Sequence, residues 1–199
     1  MIIHDIKTIF NAGSAFLAYF YFDFKDTAKQ SSRALLTSLL VQLSDQSDIF
    51  RDNLLALYLG HNQGSEQPTD DSPAECLKNM LMIIKHEPIY LIMDALDECP
   101  SDLGVPSSRE KVLELVKELV ELRHTNLRLC ITSRPEFDIR ATLQPLVTQQ
   151  ISIHDEIGQQ QDIVDYVTSV VHTDKKMKKW RDDDKNMVID KLTERADGM

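Results

Sequence analysis

The sequence contains little of what disulfide frameworks and zinc sites require. Its three cysteines, Cys76, Cys99 and Cys130, are far apart and odd in number. This favours a reducing compartment over a disulfide framework. The six histidines are scattered without the spacing of metal ligands, so no zinc site is expected. A cytoplasmic location is therefore the expectation.

Long apolar runs and excess positive charge are also missing. The longest apolar run near the N-terminus, Ala15 to Phe22, is far too short to span a bilayer, and it lacks the layout of a secretion signal. Lysines and arginines number 22 against 32 aspartates and glutamates, which gives a net charge of −10. The densest basic run, from Lys175, is followed at once by acidic residues, as where one helix ends and another begins. Neither nucleic acid nor a membrane is an expected partner.

Glycine is scarce, and its positions exclude one motif. A phosphate-binding loop has the pattern G-x-x-x-x-G-K-[ST], because its backbone N–H groups and its lysine hold phosphate oxygens. The chain has six glycines, and none of them precedes a lysine. The 199 residues therefore contain no such loop.

Apolar patterns along the chain alternate between strands and helices. An aromatic-rich run at 14–24 predicts a strand buried on both faces, and runs at Ile89 and at Leu127 to Pro135 predict two more. The remaining predicted elements are helices at Ile2–Phe10, 31–44, Ile49–Leu59, Ala74–Lys85, 107–122 and 136–146, a strand at Val147–Ile153, and a helical region from Gly158 with a break near Trp180 to Asp184. This alternation is typical of an α/β fold with a mainly parallel sheet, whose ligand sites lie at the carboxyl ends of the strands.

Two helix starts carry capping signals. Ser31 or Ser32 precedes a leucine-rich helical pattern, and a serine is a favoured N-cap. Ser107 is followed three residues later by Glu110, which is the pattern of a capping box.

Three carboxylates follow the strand that begins at Ile89. Asp94 stands at its tip, and Asp97 and Glu98 lie one turn further on. A carboxylate at the tip can hold the water shell of Mg²⁺, which takes few protein ligands. Asp97 or Glu98 could then orient or deprotonate an attacking water. The alternative is that Asp94 only ends the strand and that Asp97 and Glu98 are solvated loop charges.

An arginine follows the next predicted strand. Arg134 comes directly after the run that begins at Leu127, and a guanidinium there could pair bidentately with a γ-phosphate and report its hydrolysis. The alternative is a surface arginine held by Glu136 or Asp138. The order of carboxylate strand, helix and arginine strand in one α/β chain favours a shared site.

Four blocks of sequence carry a family resemblance: "LAYFYFDFKDTAKQSSRALLTSLLVQL", "LIMDALDECP", "LRLCITSRPEFDIR" and the terminal "ADGM". Together they resemble NACHT-type domains, which are signal-transduction P-loop NTPases, and most closely the nephrocystin-like N-terminal domains of fungal multidomain proteins. The resemblance extends over nearly the whole chain from Ala15 onward. It implies an incomplete P-loop NTPase-type core at 1–154 and the start of a small helical subdomain at 155–199.

The resemblance also implies roles for the candidate residues. "DALDE" looks like the family's Walker B element, which implies Asp94 for Mg²⁺ and Asp97 and Glu98 near the attacking water. "TSRP" looks like its sensor 1 segment, which implies Arg134 near the γ-phosphate. The complete domain would bind Mg²⁺ with ATP or GTP, hydrolyse the nucleotide, switch conformation and oligomerise.

By the same resemblance, the first strand and the phosphate-binding loop would precede "IIHDIK", so the chain is expected to begin inside the helix that the loop opens. Losing three charge-assisted hydrogen bonds to phosphate costs on the order of 5 kcal/mol, or about three to four decades in Kd. We therefore expect no cofactor and no useful NTPase activity in this chain alone. The missing strand is also expected to leave an apolar sheet edge that needs a partner.

Two other functions are compatible with the residues. A nucleotide-free interaction module would use its helices and acidic surface to bind a full-length relative or to self-associate. An unrelated acidic α/β hydrolase would need a nucleophile–base pair, and the chain has no G-x-S-x-G motif.

Overall fold

Three parallel strands form the sheet of the protein. The computed structural model describes residues 15–69, 71–101, 105–152 and 157–196. Strands β1 (Phe16–Tyr21), β2 (Ile89–Asp94) and β3 (Leu127–Ile131) lie in the order β1-β2-β3. The pairing is parallel throughout and places Ala18 beside Leu91 and Leu91 beside Leu129. The predicted α/β class with a parallel sheet is confirmed.

Seven helices accompany these strands in the described part of the chain. They are α1 (Ser32–Ser44), α2 (Asp48–Gly60), α3 (Asp71–Ile83), α4 (Ser108–Glu121), α5 (Phe137–Leu143), α6 (Ile157–Thr173) and α7 (Asp182–Ala196). The helix predicted at Ile2–Phe10 lies outside the described residues. No described helix combines the length and the apolar character that a membrane crossing requires.

The chain divides into two compact units, Met1–Leu146 and Val147–Met199. The first contains the sheet and helices α1 to α5, and the second contains α6 and α7. The domain boundary predicted between residues 154 and 155 stays a prediction.

The core of the first unit is built from the predicted apolar positions. The inner side of α1 is a stripe of buried leucines, consisting of Leu35, Leu36, Leu39, Leu40 and Leu43. The side chain of Ser31 accepts the Ala34 N–H at 3.1 Å and caps this helix. Ser107 and Glu110 form the predicted capping box of α4. In both cases an N-cap side chain satisfies a backbone donor that has no partner inside the helix.

Gln42 in α1 and Gln46, two residues after its end, protect the outer edge of β1. Gln46 Oε1 accepts the Leu17 N–H at 2.9 Å, and Gln46 Nε2 donates to the Leu17 carbonyl at 2.6 Å. Gln42 makes the same two bonds to Tyr19, at 3.1 and 2.7 Å. The primary amides therefore replace a neighbouring strand along this edge, which would otherwise expose unpaired backbone groups.

Replacing Gln46 tests this edge. We expect Gln46→Met to lower the free energy of unfolding by about 1–3 kcal/mol, because both backbone groups of Leu17 lose a partner while partly buried. Urea denaturation followed by circular dichroism measures the change. Gln144→Met, at an exposed position after α5, is the matched control. An equal effect of the two substitutions would contradict the edge role of Gln46.

The strand predicted at Val147–Ile153 is wrong for residues 147–152, which form neither strand nor helix. Val147 is 46% exposed and Ile151 is 70% exposed. A strand gains its stability from packing its side chains against a core and a neighbour, and these side chains have little such burial. Ile153 lies outside the described residues.

The predicted helical region after Gly158 is confirmed, but its break lies at residues 174–181 and not at Trp180 to Asp184, because Asp182 to Asp184 already belong to α7. Three aspartates, Asp182 to Asp184, occupy the first turn of α7, where negative charge suits the helix dipole. The basic run from Lys175 lies in the break, which contains the single turn Met177–Lys179, and not in the last turn of α6. The prediction that the acidic residues begin a helix is therefore confirmed, and the prediction that the basic run ends the preceding helix is wrong.

Candidate functional site

The carboxyl ends of β2 and β3 meet at one edge of the sheet. Met93 pairs with Ile131 at the end of the parallel ladder, and the Thr132 N–H donates to the Met93 carbonyl at 3.0 Å. The acidic loop after β2 and the arginine loop after β3 consequently leave the sheet side by side. The sequence predicted this juxtaposition, and the strand pairing confirms it.

The hydroxyl of Thr132, in the loop after β3, holds Asp94 at the tip of β2. Thr132 Oγ1 donates to Asp94 Oδ1 at 2.5 Å and accepts the Ala95 N–H at 2.9 Å. Among the described residues, no hydrogen bond engages Asp94 Oδ2, and the side chain is half-buried. One carboxylate oxygen is fixed, and the other is available to a ligand.

The backbone next to Asp94 is strained. Ala95 has φ 55° and ψ 49°, in the left-handed region, which costs a residue with a Cβ roughly 1–2 kcal/mol. The turn lets the chain reverse into the single helical turn Leu96–Glu98, whose Leu96 side chain is fully buried. Strain of this kind persists only where surrounding contacts enforce it, and it is frequent at binding sites.

Asp97 and Glu98 each hold a neighbouring loop. Asp97 Oδ1 accepts the Arg134 N–H at 3.0 Å, and its side chain is only 9% exposed. Glu98 Oε2 accepts the Phe24 N–H at 3.0 Å, in the loop that follows β1. The alternative interpretation of these residues as solvated loop charges is therefore wrong for Asp97, which is buried and bonded.

Arg134 lies beside Asp97 but is not locked by it. Arg134 Nε is 3.5 Å from Asp97 Oδ2, and its side chain is 81% exposed. The alternative partners considered from the sequence, Glu136 and Asp138, contact a different arginine. A guanidinium held loosely at one end and open to solvent can exchange its carboxylate for another anion.

That different arginine is Arg109, in the first turn of α4. Its Nη1 contacts the Glu136 carboxylate and lies 3.3 Å from Asp138 Oδ2. Its Nε donates to the Cys99 carbonyl at 2.8 Å, and its Nη2 donates to the Asp97 carbonyl at 2.6 Å. Burial lowers the pKa of Arg109, but the bonds and charges of the two carboxylates raise it above its usual value. Arg109 is therefore a permanent cation.

Arg109 and Thr132 were not among the residues that the sequence singled out. A basic side chain in the first helical turn interacts unfavourably with the helix dipole. The position of Arg109 in α4 was therefore a weak indication that this residue makes contacts outside its own helix. Thr132 carried none beyond its place at the end of a strand.

The cysteines near this edge are not nucleophiles. Burial raises the pKa of Cys99 to about 11, although the charge of Arg109 acts in the opposite direction. Burial also raises the pKa of Cys130, and the charge of Asp94 raises it further. Since the thiolate is the reactive form, both thiols stay protonated and unreactive near neutral pH.

The residues at this edge fit a hydrated magnesium ion better than a metal that requires several protein ligands. No cluster of three or more His, Cys, Asp or Glu ligands occurs in the part of the chain that the structure describes. Mg²⁺ prefers oxygen, keeps several waters and needs only one or two carboxylates. Asp94 offers one free carboxylate oxygen and could hold such an ion through its waters.

Taken together, the sheet and its loops define an α/β domain with an acidic and an arginine-bearing loop at one edge. Residues 1–134 match the family model described as Nephrocystin 3, N-terminal. The match covers more than half of the chain, and the protein belongs to this family. All four predicted site residues lie inside the match, which ends at Arg134. No curated protein and no solved structure matches the chain.

Proposed function

We propose that this protein is the magnesium-binding and phosphate-sensing side of a NACHT-type nucleotide switch, in a cytoplasmic signalling or self/non-self recognition protein. The observation that carries the proposal is the contact between Asp97 and Arg134, which joins the loops after β2 and β3 beside Asp94. Family membership supports it, and so does the resemblance of the two loops to Walker B and sensor 1 segments.

Each residue has a distinct part in this proposal. Asp94, oriented by Thr132, holds the water shell of Mg²⁺ through its free oxygen. The ion, when bound, supplies positive charge that offsets the charge of the phosphates. Arg134 exchanges its loose contact with Asp97 for a phosphate oxygen. Asp97 holds the backbone of Arg134, so we assign it positioning of the arginine in addition to its predicted place near the attacking water.

The chain by itself is expected to bind nucleotide weakly, because no glycine precedes a lysine anywhere in it. Without backbone donors and a lysine for the phosphates, three carboxylates face a polyphosphate with Arg134 as the exposed cation of the two loops. The test of function must therefore detect a millimolar site.

Paramagnetic Mn²⁺ in place of Mg²⁺ provides such a test. With millimolar ATP and a trace of Mn²⁺, we expect amide NMR signals of residues 94–98 and 132–134 to broaden, because the ion sits at the tip of β2. We expect Asp94→Asn to abolish the broadening there by removing the charged ligand.

Asp48→Asn is the matched control, because Asp48 is an exposed carboxylate on α2 in the same unit, paired with Arg51. It should leave the broadening unchanged. Broadening that is absent from the strand tips, or that persists in Asp94→Asn, would refute the proposal and favour the nucleotide-free interaction module.

A further inference from the structure

Arg109 is unusual because it is buried and uses all three of its nitrogens. Its side chain is 6% exposed, and burying a charge is costly unless it is paired and hydrogen-bonded. Its acceptors are two backbone carbonyls and two carboxylates. The planar guanidinium meets acceptors in fixed directions, so the contacts determine where the attached segments lie.

Those attached segments are the two loops of the candidate site. On one side Arg109 holds the carbonyls of Asp97 and Cys99, in the loop after β2. On the other side it holds Glu136, at the start of α5, whose N–H donates to the Arg134 carbonyl at 2.8 Å. Arg109 therefore contacts the backbone of Asp97 directly and that of Arg134 through Glu136, while the Asp97 carboxylate accepts the Arg134 N–H.

Arg109 is the cation that contacts both Glu136 and Asp138. Lys111, two residues further along α4, has an interaction of its own, and Arg134 points to Asp97. A lysine at position 109 would retain the charge, but its compact ammonium cannot span carbonyls and carboxylates on opposite sides. Arg109→Lys therefore removes the branched guanidinium while it keeps the positive charge, so it distinguishes the positioning effect of Arg109 from the effect of its charge.

We infer that Arg109 is a positioning residue that sets the Asp97–Arg134 contact and thereby places Arg134 to receive a phosphate. This inference rests on the proposed nucleotide function for its purpose, but its geometric half can be measured without nucleotide. Neither Asp97 nor Arg134 is altered in the Arg109 variant, so its readout reports their placement.

The Arg134 backbone amide is the probe in the full 199-residue chain. An amide that donates to a carboxylate forms a charge-assisted bond, so its proton should resonate downfield in the wild-type protein. We expect Arg109→Lys to move this signal upfield, toward the position found in Asp97→Asn, while the amides of Ala18 and Leu91 stay in place. Arg51→Lys, a substitution at the exposed pair with Asp48 on α2, should change neither.

The same samples with Mn²⁺ and millimolar ATP test the purpose of that placement. In Arg109→Lys we expect the broadening at Asp94 and at Thr132 to be kept, because the bond between these two residues does not involve Arg109, and the broadening at Arg134 to become weaker. A purely structural Arg109 would leave both in place. Broadening at Arg134 that stays as strong, relative to that at Thr132, in a folded Arg109→Lys protein as in the wild type, or an Arg134 amide that does not move, would overturn the inference.

If Arg109→Lys does not fold, the double variant Glu136→Gln with Asp138→Asn loosens the same cluster from its half-exposed side. We expect the Arg134 amide to move in the same direction, and an unmoved signal overturns the inference. A wild-type protein without any Mn²⁺·ATP effect at the strand tips refutes the proposed function instead. If Mn²⁺ and ATP broaden the strand-tip signals of the wild-type protein but the Arg134 amide signal does not move in the variants, only the role of Arg109 is refuted.

Discussion

Replacing Arg109 by leucine is expected to lower the free energy of unfolding by about 2–5 kcal/mol, chiefly because two backbone carbonyls lose their donor at about 1–3 kcal/mol each. The carbonyls of Asp97 and Cys99 lose their donors in this variant, and Glu136 and Asp138 lose their counter-ion. Because folded domains are stable by only about 5–15 kcal/mol, this single change would remove a large part of the total. Urea denaturation of the wild-type and variant proteins measures it.

Arg51→Leu is the matched control for that loss. Arg51 on α2 also pairs with an aspartate, at 2.7 Å from Asp48, but both side chains are mostly exposed. An exposed pair contributes about 0–1 kcal/mol, so the control should differ little from the wild type. If Arg109→Leu costs no more than Arg51→Leu, the cluster around Arg109 is not a stabilising feature, and its proposed positioning role loses its physical basis.

The elements that sequence patterns predicted well are those whose signal is local. The aromatic run of β1 and the apolar run of β2 are continuous and largely buried, the apolar run of β3 is partly buried, and the leucine stripe of α1 combines burial with the helical period. The positions of the candidate residues Asp94 and Arg134 were predicted for a related reason, because polar residues directly after neighbouring strands reach the same edge of a parallel sheet.

What the patterns missed depends on contacts between distant segments. Arg109 meets residues of two separate loops, and Gln42 and Gln46 meet a strand more than twenty residues away. The two glutamines are four residues apart and were therefore not distinguishable from the ordinary polar side of a helix. The local sequence does not determine which carboxylate pairs with a given arginine. For this reason Glu136 and Asp138 were wrongly considered as partners of Arg134.

The strand predicted at Val147 failed for a different reason. Its apolar residues, Val147, Ile151 and Ile153, fall on one face of an extended chain, and Val147 and Ile151 are exposed. The strand period of two is therefore present, but the two described side chains lack the burial from which a strand gains its stability.

The proposed weak nucleotide site predicts a small thermal response. With sub-millimolar ATP and Mg²⁺, a site of millimolar or weaker Kd gains at most a few tenths of a kcal/mol, because the gain is RT ln(1 + [L]/Kd). A micromolar site would gain about 4 kcal/mol near a thousandfold excess of ligand over Kd. For domains of this size that corresponds to a rise in Tm on the order of 10 °C. We expect this chain to show a change of about 1 °C or less by differential scanning fluorimetry.

The informative comparison is a nephrocystin-like domain that carries a G-x-x-x-x-G-K-[ST] loop, measured under the same conditions and at matched ionic strength. It should show the larger rise, and substitution of its loop lysine should reduce the rise toward the value of this chain. In this protein, a clear ATP·Mg-dependent rise that Asp94→Asn abolishes and Asp48→Asn keeps would overturn the prediction of weak binding. It would mean that the edge formed by β2 and β3 binds a polyphosphate without the loop, and that Arg134 contributes far more than one exposed charge is expected to contribute.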